Sequence, residues 1–333
     1  MLTRTRAGPS RTRTVAEVEF RQAIREALDE ELERDPSVIF FGEDVGAAGG
    51  VFAVTPGLQE KHGRKRVFDT PISELALAGA AFGSAVCGLR PVVEIMFADF
   101  LPLVMDSLVN QSAKYWFLSN EQASVPLVIR TAAGAGGRFG AVHSQMPVSW
   151  LDSVAGLKVV CPATPADAKG LLKSAVRDDN PVLFVEHKRL YALKGELGNG
   201  TVPIGRAAVA RTGSDLTIVT AMKGVHDSLV AAETLANRGI EAEVVDLRTI
   251  RPLDVETVLD SVRRTNRVLV VEEGPEHGWA GEVLAQVTAH ALEYLDDAWR
   301  VTTPSTPIPY SPPLEDAFLP LADRIVEAVL SRS

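Results

Sequence analysis

Cysteine is almost absent from the 333-residue sequence, which has only Cys87 and Cys161. Two thiols so far apart exclude a disulfide framework and any zinc-finger spacing, and they fit a reducing, cytoplasmic setting. Long hydrophobic runs are missing too. Arg, Glu or Asp interrupts each candidate before the roughly 18 residues a transmembrane helix needs, so no membrane role is expected. Basic charge is in short supply, with 34 Lys and Arg against 43 Asp and Glu and a net charge of −9. No broad basic surface is left for nucleic acid or anionic lipid. A Walker sequence and a complete GxGxxG fingerprint are both lacking. What remains, 46% hydrophobic and 23% charged residues, is a globular composition with length for two domains. The opening MLTRTRAGPSRTRT is Arg- and Thr-rich and free of acids until Glu17. Residues 1–14 read as a disordered basic tail, faintly like a transit peptide and without a signal-peptide core.

Residues 15–34 carry apolar positions at helical spacing, and Asp35-Pro36 stops them. The runs SVIFFGED, PVVEIMF, PLVIRTA, LKVVCPA and PVLFVEH follow, separated by helical segments such as 99–118 and 165–178. Apolar residues on consecutive positions mark strands covered on both faces, so an α/β fold with a parallel sheet between helices is expected. KGELGNGTVPIG, residues 194–205, has the composition of a linker. Beyond it βα alternation resumes through DLTIVTA, AEVVDLRT and RVLVVEEG, giving a smaller second α/β domain at 206–333. The Pro-rich TTPSTPIPYSPPLEDAFLP is expected to run extended before a last helix at 321–331.

Several residues stand out chemically. GEDVGAAGG (42–50) and GAGGRFG (134–140) each follow a strand, where ligands approach open α/β sheets. Either could cradle phosphate or be a flexible loop. In the second, Phe139 occupies a position where the fingerprint needs a small residue. Of the histidines, His62, His226 and His290 fall on polar ground that suggests exposure, His187 ends a strand, and His277 sits in a solvated loop. His143 follows the Gly-rich loop at a strand end, and structural and functional readings stay balanced. Glu74 heads the run of small and apolar residues in DTPISELALAGAAFGSAVCGL, residues 69–89, which reads as a helix. With Thr70 as N-cap and Pro71 at the first helical position, Glu74 is either a first-turn acid favoured by the helix dipole or a partly buried proton-handling carboxylate.

Taken in order, FGEDV, RVFDTPISE, GLRPVVEIMFADF, KYWFLS, HSQ, GLKVVCPATPADAKGLLKSAVRDDNPVLFVEHKRLY, VVDLRTIRPLD, VEEGPEHGWAGE and TPIPYSPPLE resemble the β subunit of the thiamine-diphosphate-dependent E1 component of 2-oxo acid dehydrogenases. The resemblance spans residues 15–330. It implies a pyrimidine-binding α/β domain at 15–193 followed by a transketolase-type C-terminal domain. It implies that Glu74 hydrogen-bonds N1′ of the cofactor's aminopyrimidine, favouring the tautomer whose 4′-nitrogen takes the proton from thiazolium C2. Phe100 of FADF matches the aromatic position packed on the pyrimidine; read alone, it is a core residue. His143 of HSQ matches the histidine that moves protons near the substrate. The resemblance further implies a structural potassium ion at Leu127, Ala175, Val176, Asp178 and Asn180, an all-oxygen set suited to a hard cation. Read alone, AVRDDNP is a helix end turning into a strand. Ala155 and Ser107 depart mildly from the family pattern.

The family's magnesium-binding GDG motif does not occur in the sequence. By resemblance, an α subunit supplies the diphosphate and Mg2+ contacts in an α2β2 heterotetramer, and the E2 lipoyl acyltransferase docks on the assembly. The expected reaction is oxidative decarboxylation of a 2-oxo acid, pyruvate first, with acyl transfer to lipoyl-E2. Acetoin and branched-chain 2-oxo acids are the alternatives. A non-catalytic α/β interaction subunit and a dinucleotide-binding subunit are the rivals from other classes.

Overall fold

The computed structural model describes residues 17–198 and 200–332. The tail expected at 1–14 lies outside the described residues. Two larger sheets carry the fold. The first has seven strands in the order Thr249–Arg251, Lys158–Val160, Val182–His187, Val128–Ala133, Arg90–Phe97, Val38–Gly42 and Val67–Asp69. All neighbours are parallel except the Thr249–Arg251 edge. The second has five strands in the order Asp297–Val301, Arg267–Val271, Leu216–Thr220, Ala242–Asp246 and Ala208–Arg211, the last antiparallel. The consecutive apolar runs behave as expected: every residue of Val38–Gly42 and of Val182–His187 is buried. Helices cover both faces, as parallel strands require. Among the described residues no helix is long and apolar enough to cross a membrane.

Four local expectations are corrected. Residues Glu17–Glu19 form a strand, paired with Lys194–Glu196, before the helix Phe20–Arg34 begins. The supposed linker thus opens with a strand. The segment 99–118 is a 3-10 turn Ala98–Val104 containing Pro102, a π-helical turn Asp106–Ser112 and a short α-helix Ala113–Leu118; Pro102 denies a regular ladder its N–H. In the Pro-rich tail Pro312–Phe318 is helical, its two prolines occupying the first turn where no N–H is needed. His62 and His226 are half-buried, bonded to Asp29 and to the Ala163 carbonyl.

The strand Thr249–Arg251 belongs to the second half of the chain yet completes the first sheet, with Thr249 opposite Val160 and Arg251 opposite Val159. It stitches the two halves together. Inside that sheet, three adjacent strands contribute Glu94, Arg130 and Glu186 to one buried charged cluster. Arg130, 1% exposed, donates to both Glu186 oxygens at 2.7 and 2.8 Å and to Glu94 at 2.8 Å. The Tyr191 hydroxyl adds a bond to Glu186 at 2.9 Å. Removing the cation from such a cluster strands two buried carboxylates. Arg130→Met is therefore expected to destabilise the fold by about 3–5 kcal/mol, measured by urea or thermal unfolding. A loss under about 1 kcal/mol would show that the carboxylates find water instead.

Candidate functional site

The carboxyl ends of the parallel strands lie along one edge of the sheet, and the predicted residues collect there. Glu43 follows Val38–Gly42, Glu74 follows Val67–Asp69, Phe97 ends Arg90–Phe97 and Phe100 lies in the turn after it, His143 follows Val128–Ala133, and Lys188 follows Val182–His187. This is where open α/β sheets bind ligands.

Glu74 is the first residue of the helix Glu74–Val86, with Ser73 rather than Thr70 as N-cap. The reason is local. Thr70 donates its N–H to the Gly42 carbonyl at 2.9 Å and so continues the sheet, and the helix starts only after Pro71. The helix buries Leu77, Ala78, Ala81 and Ala85, whereas Leu75, Ala76, Ala80 and Gly83 face outward. Glu74 itself is 8% exposed, and among the described residues no hydrogen-bond donor meets its carboxylate. Beside it Glu43 is also buried; it accepts the Ser73 N–H, but its Oε1 has no partner. Burial and the Glu74 charge together push the Glu43 carboxyl above its ordinary range. The Glu43 carboxylate, buried beside the Glu74 charge, therefore needs a proton or an external donor. Next to them, an apolar cavity of about 340 Å³ runs between Phe41, Phe68 and Pro71 and the Ala76, Ala80 and Ser84 side of the helix.

Phe100 and His143 do come together. The His143 ring meets Phe97 edge-on at 4.8 Å and Phe100 at 5.6 Å, with interplanar angles of 81° and 83°. Gln145 of the same HSQ motif donates its N–H and side-chain amide to Asp99 Oδ1 at 3.2 and 3.0 Å, tying the loop to the turn that carries Phe100. Lys188 donates to the His143 carbonyl and lies over the Phe97 and Phe139 rings at 5.3 and 5.4 Å. Burial lowers its pKa to about 8 against the pull of Asp99, Glu273 and Glu315.

The loop GAGGRFG is an anion-binding turn whose anions come from the protein. Positive φ at Gly134, Gly136, Arg138 and Gly140 turns successive N–H groups to one side, as in backbone nests. Glu273 accepts the Ala135 N–H at 2.6 Å, and Glu315 accepts those of Gly136 and Arg138. Glu273 also takes the His187 Nε2 proton at 2.8 Å, while His187 Nδ1 accepts from the Arg189 N–H. A Cβ at Gly134 would sit 2.3 Å from His187 Nε2, so the loop presses on this histidine. The loop is neither free nor a phosphate cradle.

The five residues expected at potassium also gather, where the helix Pro165–Arg177 ends. Two cationic side chains share their oxygens. Arg90 donates to the Val176 and Asp178 carbonyls, both at 3.1 Å, and Lys158 to the Asp178 carboxylate. Asp178 Oδ1 accepts the Asn180 N–H at 2.9 Å, and the Leu127 and Ala175 carbonyls accept from Val182 and Asp178.

Sequence reasoning missed Glu43, Phe97, Asp99 and Lys188. All four lie at strand carboxyl ends, and that shared placement was the available signal.

Comparison with known proteins agrees with this geometry. A family model described as transketolase, pyrimidine binding domain, matches residues 16–194, and one described as transketolase, C-terminal domain, matches 205–325. The chain is 49% identical over 320 residues to the β subunit of acetoin:2,6-dichlorophenolindophenol oxidoreductase from Cupriavidus necator, covering 92% of this chain and 94% of that one. It is 44% identical to the Arabidopsis thaliana mitochondrial pyruvate dehydrogenase E1 component subunit beta-1, covering 94% and 88%. To the Bacillus subtilis 2-oxoisovalerate dehydrogenase subunit beta it is also 44% identical, covering 92% and 96%. A solved split gene transketolase, an inactive β4 tetramer, shares the fold with a TM-score of 0.78 at 22% identity, covering 94% of this chain and 97% of that one. The chain belongs to the two-domain transketolase-type family that includes the β subunits of these acetoin, pyruvate and 2-oxoisovalerate enzymes.

Proposed function

We propose that the chain is the β subunit of a 2-oxo acid dehydrogenase E1 that works with an α subunit in the cytoplasm. It would contribute the pyrimidine side of a thiamine diphosphate site. The observation that carries this reading is the Glu43–Glu74 pair, two buried carboxylates with acceptor capacity and no donor for Glu74 among the described residues. An aminopyrimidine ring nitrogen sharing a proton with Glu74 would meet that need.

When bound, thiamine diphosphate supplies the electron sink for cleaving the bond beside a carbonyl. Glu74, 8% exposed at the head of its helix, would hold a proton at N1′. Phe100 gives the pyrimidine an apolar neighbour. His143, set edge-on against Phe97 and Phe100, moves a proton at the reacting substrate oxygen and admits the lipoyl group of E2. Between pyruvate, branched-chain 2-oxo acids and acetoin, pyruvate and acetoin are favoured, in keeping with the EHKRLYALKGE segment.

The α subunit has a surface to meet. Ile72 and Leu75, on either side of Glu74 in sequence, are 82% and 60% exposed, and Phe117 and Leu118 are 78% and 69% exposed on the short helix whose Tyr115 ring meets Phe82 at 5.2 Å. Large apolar side chains exposed in this way mark an interaction site. Magnesium and the diphosphate contacts are assigned to the α subunit.

Potassium can join the turn at 175–180 because each carbonyl bonded once keeps a second lone pair. Arg90 and Lys158 would then share those oxygens with the ion.

Three outcomes test these assignments. In the enzyme reconstituted with its α partner, Glu74→Ala should lower turnover about 10²-fold or more, followed as CO2 release with pyruvate and as dye reduction with pyruvate or acetoin; near wild-type rates would disprove the proton role. Ala80→Arg should leave the isolated chain folded by circular dichroism yet prevent copurification with the α subunit, and normal assembly would move the interface elsewhere. Potassium at ten times its Kd should add about 1.4 kcal/mol of unfolding free energy over choline at equal ionic strength, and Asp178→Ala should remove that difference. Equal stability in both salts would leave Arg90 and Lys158 as the only cations at this turn.

A further inference from the structure

Lys188 has no part in the chemistry assigned above, and its setting is costly for a lysine. It follows directly on the strand Val182–His187 and is only 8% exposed. Its ammonium donates to the His143 backbone carbonyl. The same ammonium lies 5.3 Å from the Phe97 ring centre, and the Phe97 ring meets His143 at 4.8 Å. One side chain therefore touches both the backbone of the histidine and a ring that its imidazole packs on.

We propose that Lys188 is a positioning residue for His143: by gripping the His143 carbonyl and the Phe97 and Phe139 rings, it fixes the imidazole against Phe97 and Phe100. The proposal deepens, and rests on, the reading of His143 as a proton-transfer group.

The groups facing Lys188 come from several elements. Asp99 lies on the turn after Arg90–Phe97, Glu273 follows the strand Arg267–Val271, and Glu315 stands on the helix Pro312–Phe318. Other polar groups nearby are already partnered, the His187 ring by Glu273 and the Arg138 guanidinium by Glu315 and Asp316. Arg189, beside Lys188 in the chain, packs against Gly136. Burial outweighs the three carboxylates and lowers the Lys188 pKa to about 8. Below that pH the ammonium makes a charge-assisted hydrogen bond and a cation–π contact. Above it the amine loses its charge and the grip weakens. The loop then stays anchored at Ala135, Gly136, Arg138 and Gln145, but not at His143.

The direct test is histidine NMR on the 13C-labelled chain, with the His143 signal assigned by its loss in His143→Gln. Its shift is expected to move in two steps, its own titration and a second near pH 8. Lys188→Met should abolish the second step, and Lys188→Arg, charged throughout, should hold the low-pH position. No second step in the wild type, or its persistence in Lys188→Met, would overturn the proposal. These readouts need neither cofactor nor turnover, so they stand or fall apart from the assigned reaction. In the reconstituted enzyme, Lys188→Met should lower kcat roughly 10- to 100-fold with KM little changed, and Lys188→Arg should restore part of it. If the NMR steps follow expectation while kcat stays unchanged in Lys188→Met, positioning stands and the proton-transfer reading of His143 falls.

Discussion

A guanidinium in the middle of the seven-stranded sheet, Arg130, sets the height of nearly everything at the sheet's carboxyl edge. It joins Glu94 and Glu186 across three adjacent parallel strands. Sliding any of these strands by one residue would turn its charged side chain to the other face and leave buried charges unpaired. Apolar contacts tolerate small slips far better. Phe97, Ala133 and Lys188 stand three, three and two residues beyond the three charged positions. The locked register therefore fixes where Phe97, the Gly-rich loop and Lys188 emerge. Tyr191 extends the cluster, bonding Glu186 while its ring stacks on Phe52 at 5.0 Å and meets Phe20 edge-on. The N-terminal helix is thus tied to the same point.

The second half of the chain holds that edge with carboxylates. Glu272 accepts the Ala280 and Trp279 N–H groups at the start of the helix Trp279–Ala291 and also the Ser149 hydroxyl at 2.9 Å. Burial outweighs these donors and pushes its carboxyl up to about 7. Glu273 and Glu315 occupy the nest of the loop 134–140. Three acids from the second half thereby set the path of the segment that leads to His143. Helix and nest N–H groups attract anions wherever they occur, and here the anions are built in.

Much of this was legible in the sequence where local chemistry decides. Consecutive apolar runs gave the parallel strands, and Pro and Gly marked most ends. The misses have a common physical cause. Thr249–Arg251 is a strand only because Lys158–Val160 offers an edge, and Glu17–Glu19 only because Lys194–Glu196 lies beside it. Thr70 is a good cap by composition but is claimed by the sheet. Glu74, Phe100 and His143 were singled out from their motifs, and their neighbours were not. Asp99 and Lys188 went unremarked because the groups that enclose Lys188 arrive from as far away as Glu315.

The distribution of donors and acceptors fits the proposal that this chain alone supplies half a site. A diphosphate needs N–H groups or a cation directed at it. The loop at 134–140 has its amides bonded to Glu273 and Glu315. In the loop at 42–50, the Gly46 N–H goes to Asp69 at 2.6 Å and the Gly50 N–H to the Asp44 carbonyl at 2.8 Å. In both glycine loops these amides are thus taken by acceptors within the chain. No group of His, Cys, Asp or Glu suited to a metal ion occurs among the described residues. What the carboxyl edge offers instead is acceptor capacity at Glu43 and Glu74, beside a helix face on which Leu75, Ala76, Ala80 and Gly83 are exposed. A ligand matched to such an edge presents a protonated ring nitrogen here and turns its anionic end toward another chain. The exposed Ile72 and Leu75, which bracket Glu74 in sequence, are where that chain would have to stand.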